Sequence, residues 1–234
     1  QPDHLSAGST AAGKDIAARA ARHGLKISDV FLQIGAEPQI GSVNDPDSQV
    51  RKSGREDFLR ALEFAAAAGC RHITGLPGVP HAGQDDTTAF ALAVEESAWR
   101  LECAAAAGIT YGVEPHVGSL CPDPERTLDL LDRVPGLTLT LDYGHFIYQD
   151  QSMEPVHALI SRASHFHARG GAPGKLQATM DENQISFPDI LTRMHQAAYK
   201  GWICLEYVWV DWEGCNRTDN VAESIRLRDL LRSS

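Results

Sequence analysis

The sequence predicts an α/β fold, a (β/α)8 TIM barrel, and three observations carry that reading. Helical stretches alternate with short apolar stretches along the whole chain, the rhythm of a parallel sheet wrapped in helices. Three of the short stretches, residues 30–34, 137–141 and 202–205, are mostly apolar without alternation, as strands are when both faces are covered. The length, 234 residues, is one at which such barrels form as a single unit. One domain over residues 1–234 is therefore expected. A doubly wound open sheet competes, but no glycine-rich phosphate loop follows any strand, and Gly75-x-x-Gly78 lacks the dinucleotide spacing.

The elements follow in order. Residues 14–23 read as a helix stopped by Gly24, and residues 30–34 as a strand. A helix over residues 55–68 stops at Gly69, and a strand over 72–76 ends at Pro77-Gly78. A long helix over 85–107 stops at Gly108, and the strand 109–114 closes at Pro115. Then come a helix over 124–133, a strand over 137–143, a helix over 154–162 and a strand over 164–168. A helix over 187–199 stops near Gly201, before a strand over 202–207 and a last helix over 220–231. The segment Ala-Ala-Ala-Ala-Gly occurs at 65–69 and again at 104–108, the same small-residue face and glycine stop used twice. Six strands result, where a closed barrel has eight. The shortfall lies at the front: residues 1–6 read as the tail of a strand, and the N-terminal βα portion is expected to be missing from this chain. Edge strands left open would need another segment or a partner subunit to cover them, so a homo-oligomer stays open.

Composition excludes several functions. Lys and Arg total 21 against 31 Asp and Glu, a formal net charge of −10. The basic residues Arg19, Arg22, Arg51, Arg55, Arg226 and Arg228 are scattered among acids, which argues against an extended nucleic-acid surface. No apolar run approaches the roughly 20 residues that cross a bilayer. Five widely spaced cysteines, Cys70, Cys103, Cys121, Cys204 and Cys215, form no C-x-x-C and read as reduced thiols of a cytoplasmic protein.

The chemistry gathers at the carboxyl ends of the later strands. Glu114 and His116 end one, Asp142 and His145 the next, His165, His167 and Arg169 the third, and Glu206 the last. Glu114, Asp142, His167 and Glu206 are 28, 25 and 39 residues apart, about one βα unit each. Barrel active sites form at that face. A lone acid at a strand end is most often a cap or a surface charge. Three carboxylates and an imidazole converging in one polar mouth would need a cation. They suit a divalent ion such as Mn²⁺, Mg²⁺, Co²⁺ or Zn²⁺, which would polarise a carbonyl while a carboxylate removes the neighbouring proton.

In this order, "GVEPH", "LDYGHF", "HFHARG" and "LEY" resemble the xylose isomerase-like barrel superfamily, from about Lys26 to the C-terminus. Its members include ketose 3-epimerases, hydroxypyruvate isomerase, inosose and dehydroshikimate dehydratases, and endonuclease IV. The resemblance implies that Glu114, Asp142, His167 and Glu206 ligate one divalent metal. It implies acid–base roles for Glu114 and Glu206, and contact of His145 with a substrate oxygen. Arg169, on the same strand face as His167, would hold a hydroxyl or a carboxylate. Ketose 3-epimerases carry an Arg about six residues after the ligating His; here that position is Pro173, and Arg169 or Lys175 would substitute. His116 resembles the dehydratase branch, and the lack of Asp-x-His after His167 argues against the endonuclease branch. Residues 209–220 follow the last strand, and Trp209, Trp212 and Arg217 could form a sugar-facing wall or a packing loop. Residues 174–177, Gly-Lys-Leu-Gln, could also reach substrate. The reading that results is a divalent-metal sugar or sugar-acid isomerase or epimerase that abstracts a proton beside a carbonyl, through a metal-bound enediolate. Its partner would be a small carbohydrate. A metal-dependent dehydratase or lyase of a keto-polyol or keto-glycoside, and a non-catalytic sugar-binding subunit, are the alternatives.

Overall fold

The computed structural model describes residues 8–233, so the strand read over residues 1–6 lies outside the described residues. The chain divides into two units. The first runs to Glu114 and adds residues 118–121 and 129–138; the second holds residues 115–117, 122–128 and everything from Leu139 onward.

In the first unit the order is α1 (Ser9–Arg22), β1 (Val30–Phe31), α2 (Ser48–Ala67), β2 (His72–Gly75), α3 (Asp86–Ala106) and β3 (Thr110–Val113). The three strands are parallel, with Val30 opposite Ile73 and Ile73 opposite Tyr111. Asp47 and Asp85 start the two long helices by accepting from the Gln49 and Thr88 N–H groups at 2.8 and 2.9 Å. Both Ala-Ala-Ala-Ala-Gly segments end their helices identically. Cys70 N–H donates to Ala65 O and Gly69 N–H to Ala66 O; Ile109 and Gly108 repeat this on Ala104 and Ala105. The φ angles of +70° and +66° at Gly69 and Gly108 are what a side chain resists in this cap. Ala61, Ala65, Ala93 and Ala104 are fully buried, and Phe58 meets Tyr111 edge-on at 5.3 Å. Buried Glu96 pairs with both Arg55 and Arg100.

In the second unit α4 (Pro124–Arg133) begins, and β4 (Thr138–Asp142), α5 (Tyr143–Tyr148) and α6 (Met153–Ala158) follow. A 3-10 turn (Leu159–Arg162) leads to β5 (Ala163–Ala168), α7 (Phe187–Gln196) and β6 (Trp202–Leu205). A second 3-10 segment (Trp212–Arg217) and α8 (Asn220–Ser233) close the chain. These strands are parallel too, with Asp142 opposite His167 and His167 opposite Cys204. Leu139, Leu141, Tyr143, Phe146, Leu159, Phe166 and Phe187 fill the core.

The differences from the sequence reading have local causes. The strand read over 30–34 is two residues long, although Leu32 N–H still reaches Thr74 O at 2.8 Å. The helix read from 55 begins at Ser48, because Asp47 supplies a cap. The helix read over 154–162 tightens to 3-10 geometry from Leu159. The strand read to Tyr143 ends at Asp142, whose side chain caps α5.

Candidate active site in the second unit

Strand register brings three chemically active positions to one end of this sheet. Asp142 ends β4, His167 lies beside it on β5, and Glu206 follows β6. Glu206 N–H donates to Ala168 O at 2.9 Å, so the ladder holds one bond past the strand and fixes where this carboxylate starts. Arg169 follows β5 on the same face as His165 and His167, by strand alternation. Helix α5 begins at once after Asp142 and carries His145 in its first turn. His116 belongs to this unit as well.

The side chains converge. Asp142 Oδ1 accepts from Gly144 N–H at 2.7 Å. Its Oδ2 accepts from Arg169 twice, from Nε at 2.9 Å and Nη2 at 2.6 Å. The same Nη2 lies 3.2 Å from Glu206 Oε2 and 3.2 Å from His145 Nε2. His167 Nδ1 stands 3.3 Å from Glu206 Oε2. The rings of His116 and His145 are 6.1 Å apart, and Trp212 faces both at 6.4 and 6.0 Å. Val117 N–H points at His145 Nδ1, 3.3 Å away. Asp142 is 1% exposed and Arg169 4%, while the Glu206 side chain keeps 21%.

Burial sets the charges. It would raise the Asp142 carboxyl, but Arg169, His145, His167 and the Gly144 N–H together hold it below the usual carboxylate range. Burial pushes His145 well below the ordinary imidazole value, against the pull of Asp142, and Arg169 adds to the fall. His116 is lowered by burial too, against its hydrogen bond with Val117 O. Both imidazoles are therefore neutral near pH 7.

Glu114 follows β3 in the first unit, buried, with its N–H donated to Gly75 O at 2.9 Å. Lys175 is half exposed and pairs with Glu182. Trp209 is 65% exposed and Arg217 is exposed. Gln177 is a residue whose work the sequence reading missed. Its Nε2 donates to Val208 O at 3.0 Å, Cys215 O and Thr218 Oγ1 at 2.7 Å, and its Oε1 accepts from Val208 N–H at 2.8 Å. Gln177 therefore spends its amide on the segment that carries Trp212. No local pattern marks that partner, which lies 31 residues or more away.

The donor types, two carboxylates and an imidazole, are those that hold a divalent ion, and His167 Nδ1 lies 3.3 Å from Glu206 Oε2. The gap between the two carboxylates is spanned by the Arg169 guanidinium. Deeper in the sheet, His165, His167 and Cys204 offer ligand atoms within 4.8 Å of one another.

Among the described residues no helix is long and apolar enough to cross a membrane. A comparison with curated protein sequences finds no match. Solved structures resemble the chain closely in fold. The 3-keto-D-glucoside 4-epimerase YcjR from E. coli superposes with a TM-score of 0.76 at 14% identity, over 97% of this chain and 86% of that one. A D-tagatose 3-epimerase-like protein gives 0.75 at 20% identity, over 98% and 83%. The IOLI protein, with a binding zinc atom, gives 0.72 at 13% identity, over 99% and 84%. At these identities the likeness speaks for the fold. The sequence profile described as xylose isomerase-like TIM barrel matches residues 2–232, nearly the whole chain, and the chain belongs to that family.

Proposed function

We propose that this protein is a sugar or sugar-acid isomerase or epimerase that moves a proton on the carbon beside a carbonyl. One observation carries the reading: buried Asp142, His145 and His167 and the partly open Glu206 form one cluster at the strand ends of the second unit. The fold likeness to sugar epimerases supports a carbohydrate substrate. Glu206 is the acid–base group of this unit, since its carboxylate is partly open while Asp142 has both oxygens engaged. Glu114 is the second acid–base group. Neutral His116 and His145 orient substrate hydroxyls, and Trp212 offers an aromatic face to the sugar's C–H groups. Arg169 holds a substrate oxygen, and Lys175, Trp209 and Arg217 are outer contacts. One divalent ion, Mn²⁺, Mg²⁺, Co²⁺ or Zn²⁺, would be held by Glu114, Asp142, His167 and Glu206. When bound it supplies the positive charge that polarises the carbonyl. Five free thiols support a reducing compartment, the cytoplasm.

Proton exchange in deuterated water tests this. Incubated with a panel of ketoses and keto-acids and with metal present, the protein is expected to place deuterium beside the carbonyl. Glu206→Gln should slow that exchange by about 10²–10⁴-fold. No exchange across the panel would remove the reading. A second reading, a dehydratase acting by β-elimination, is favoured by His116, a second neutral base buried beside His145. A product absorbing in the ultraviolet as an enone separates the two.

A further inference from the structure

We propose that Arg169 is an internal cation that occupies the metal position, so that a divalent ion and the guanidinium exchange on the same two carboxylates. This rests on the reading above only in taking Asp142 and Glu206 as ligands. The contacts describe a built seat. Nη2 is the atom shared by Asp142 Oδ2 at 2.6 Å, Glu206 Oε2 at 3.2 Å and His145 Nε2 at 3.2 Å. Nε adds a second bond to the same Asp142 oxygen at 2.9 Å. The other Asp142 oxygen is taken by Gly144 N–H at 2.7 Å. Gly144 also keeps the seat open: a Cβ there would lie 3.0 Å from Asp142 Oδ1 and 3.4 Å from Arg169 Nε.

Proximity sets the two cations against each other. An ion bound to these oxygens sits about 2.0–2.2 Å from each. Nη2 already stands 2.6 Å from Asp142 Oδ2 and 3.2 Å from Glu206 Oε2. An ion bridging the same two oxygens would stand within a few ångströms of this guanidinium, and the repulsion of two cations so close favours the ion only when the side chain swings out. Charge makes the exchange balanced. Two neighbouring carboxylates without a counter-ion repel each other, and the fixed guanidinium removes that repulsion in the ion-free protein. The ion-free state is thus a stable competitor, and it lowers apparent metal affinity by the fraction of molecules in which the seat is filled.

Two measurements that need no turnover decide it. The full chain, stripped of metal with a chelator, is titrated with Co²⁺ and followed by visible absorption. Arg169→Gln is expected to bind Co²⁺ at least about tenfold more tightly than the wild type, and Arg169→Lys, a shorter cation, to fall between. Equal affinities, or no binding by either the wild type or Arg169→Gln, overturn the proposal. The second measurement keeps Arg169 and removes its partner. In chelator, Asp142→Asn is expected to melt below the wild type, because a buried guanidinium loses its paired carboxylate. A rise in melting temperature would mean that the carboxylate had been uncompensated, and would overturn the proposal too. Competition at the seat without any proton exchange on sugars would sink the enzymatic reading alone and leave this one intact.

Discussion

Asp142 illustrates how much one side chain can be asked to do. One oxygen caps α5 and thereby sets where His145 emerges; the other receives the guanidinium of Arg169. Glu96 plays a comparable part in the first unit, buried between Arg55 and Arg100 with no role in the candidate site. Removing one partner of a buried ion pair strands the others. Glu96→Ala is therefore expected to cost about 3–5 kcal/mol of stability, measured by urea unfolding, and a loss under 1 kcal/mol would show that the pair is dispensable. At this scale the sequence told the identities and the strand face. Asp142, His167 and Glu206 were legible because strand ends recur at βα spacing. The grip of Arg169 on Asp142 was not, since alternation gives a face and not a partner atom.

Elements were most legible where a stop signal was chemical. Gly69 and Gly108 end their helices as read, with the same pair of capping bonds. Shorter pieces escaped. Helix α5 has six residues, too few for a period to declare itself, and its cap was read as the end of a strand. Gly201, between α7 and β6, shows a constraint of a different kind. A Cβ there would lie 2.0 Å from Ser164 O and 2.4 Å from Tyr199 Oη, so the junction has no room for a methyl group. Gly201→Ala should lower stability by about 1–3 kcal/mol by displacing the start of β6, an effect that a melting curve would register. Gln177→Ala removes the amide that meets Val208, Cys215 and Thr218 in the segment after β6. Faster proteolysis within residues 208–218 is the expected outcome, and unchanged cleavage would show that the segment is held by other contacts.

For the molecule as a whole, titration links the histidines to stability. Burial lowers His157, as it does His116 and His145; Arg193 adds to the fall, while Asp189 and Glu154 oppose it. Its Nδ1 lies 2.7 Å from the Tyr143 hydroxyl. A histidine whose folded value is depressed favours the folded state fully above the unfolded value of about 6.5, and that contribution is lost as pH falls through it. Melting temperature is thus expected to drop between pH 7.5 and 5.5, and His157→Gln should flatten the drop; an unaltered profile would exclude His157 as a contributor. The fold class was legible at this scale because alternation of helix and apolar strand is a property of the whole chain, and it survives misplaced boundaries such as the start of α2.

The contacts of the Gln177 amide have a kinetic corollary. They tie the stretch leaving β5 to the stretch leaving β6, as does the Tyr207 hydroxyl, which meets Gly170 N–H at 2.8 Å and Ala178 O at 3.1 Å, so lifting either stretch costs the other its partners. Opening beside Trp212 is therefore a concerted event of both stretches rather than the fraying of one loop.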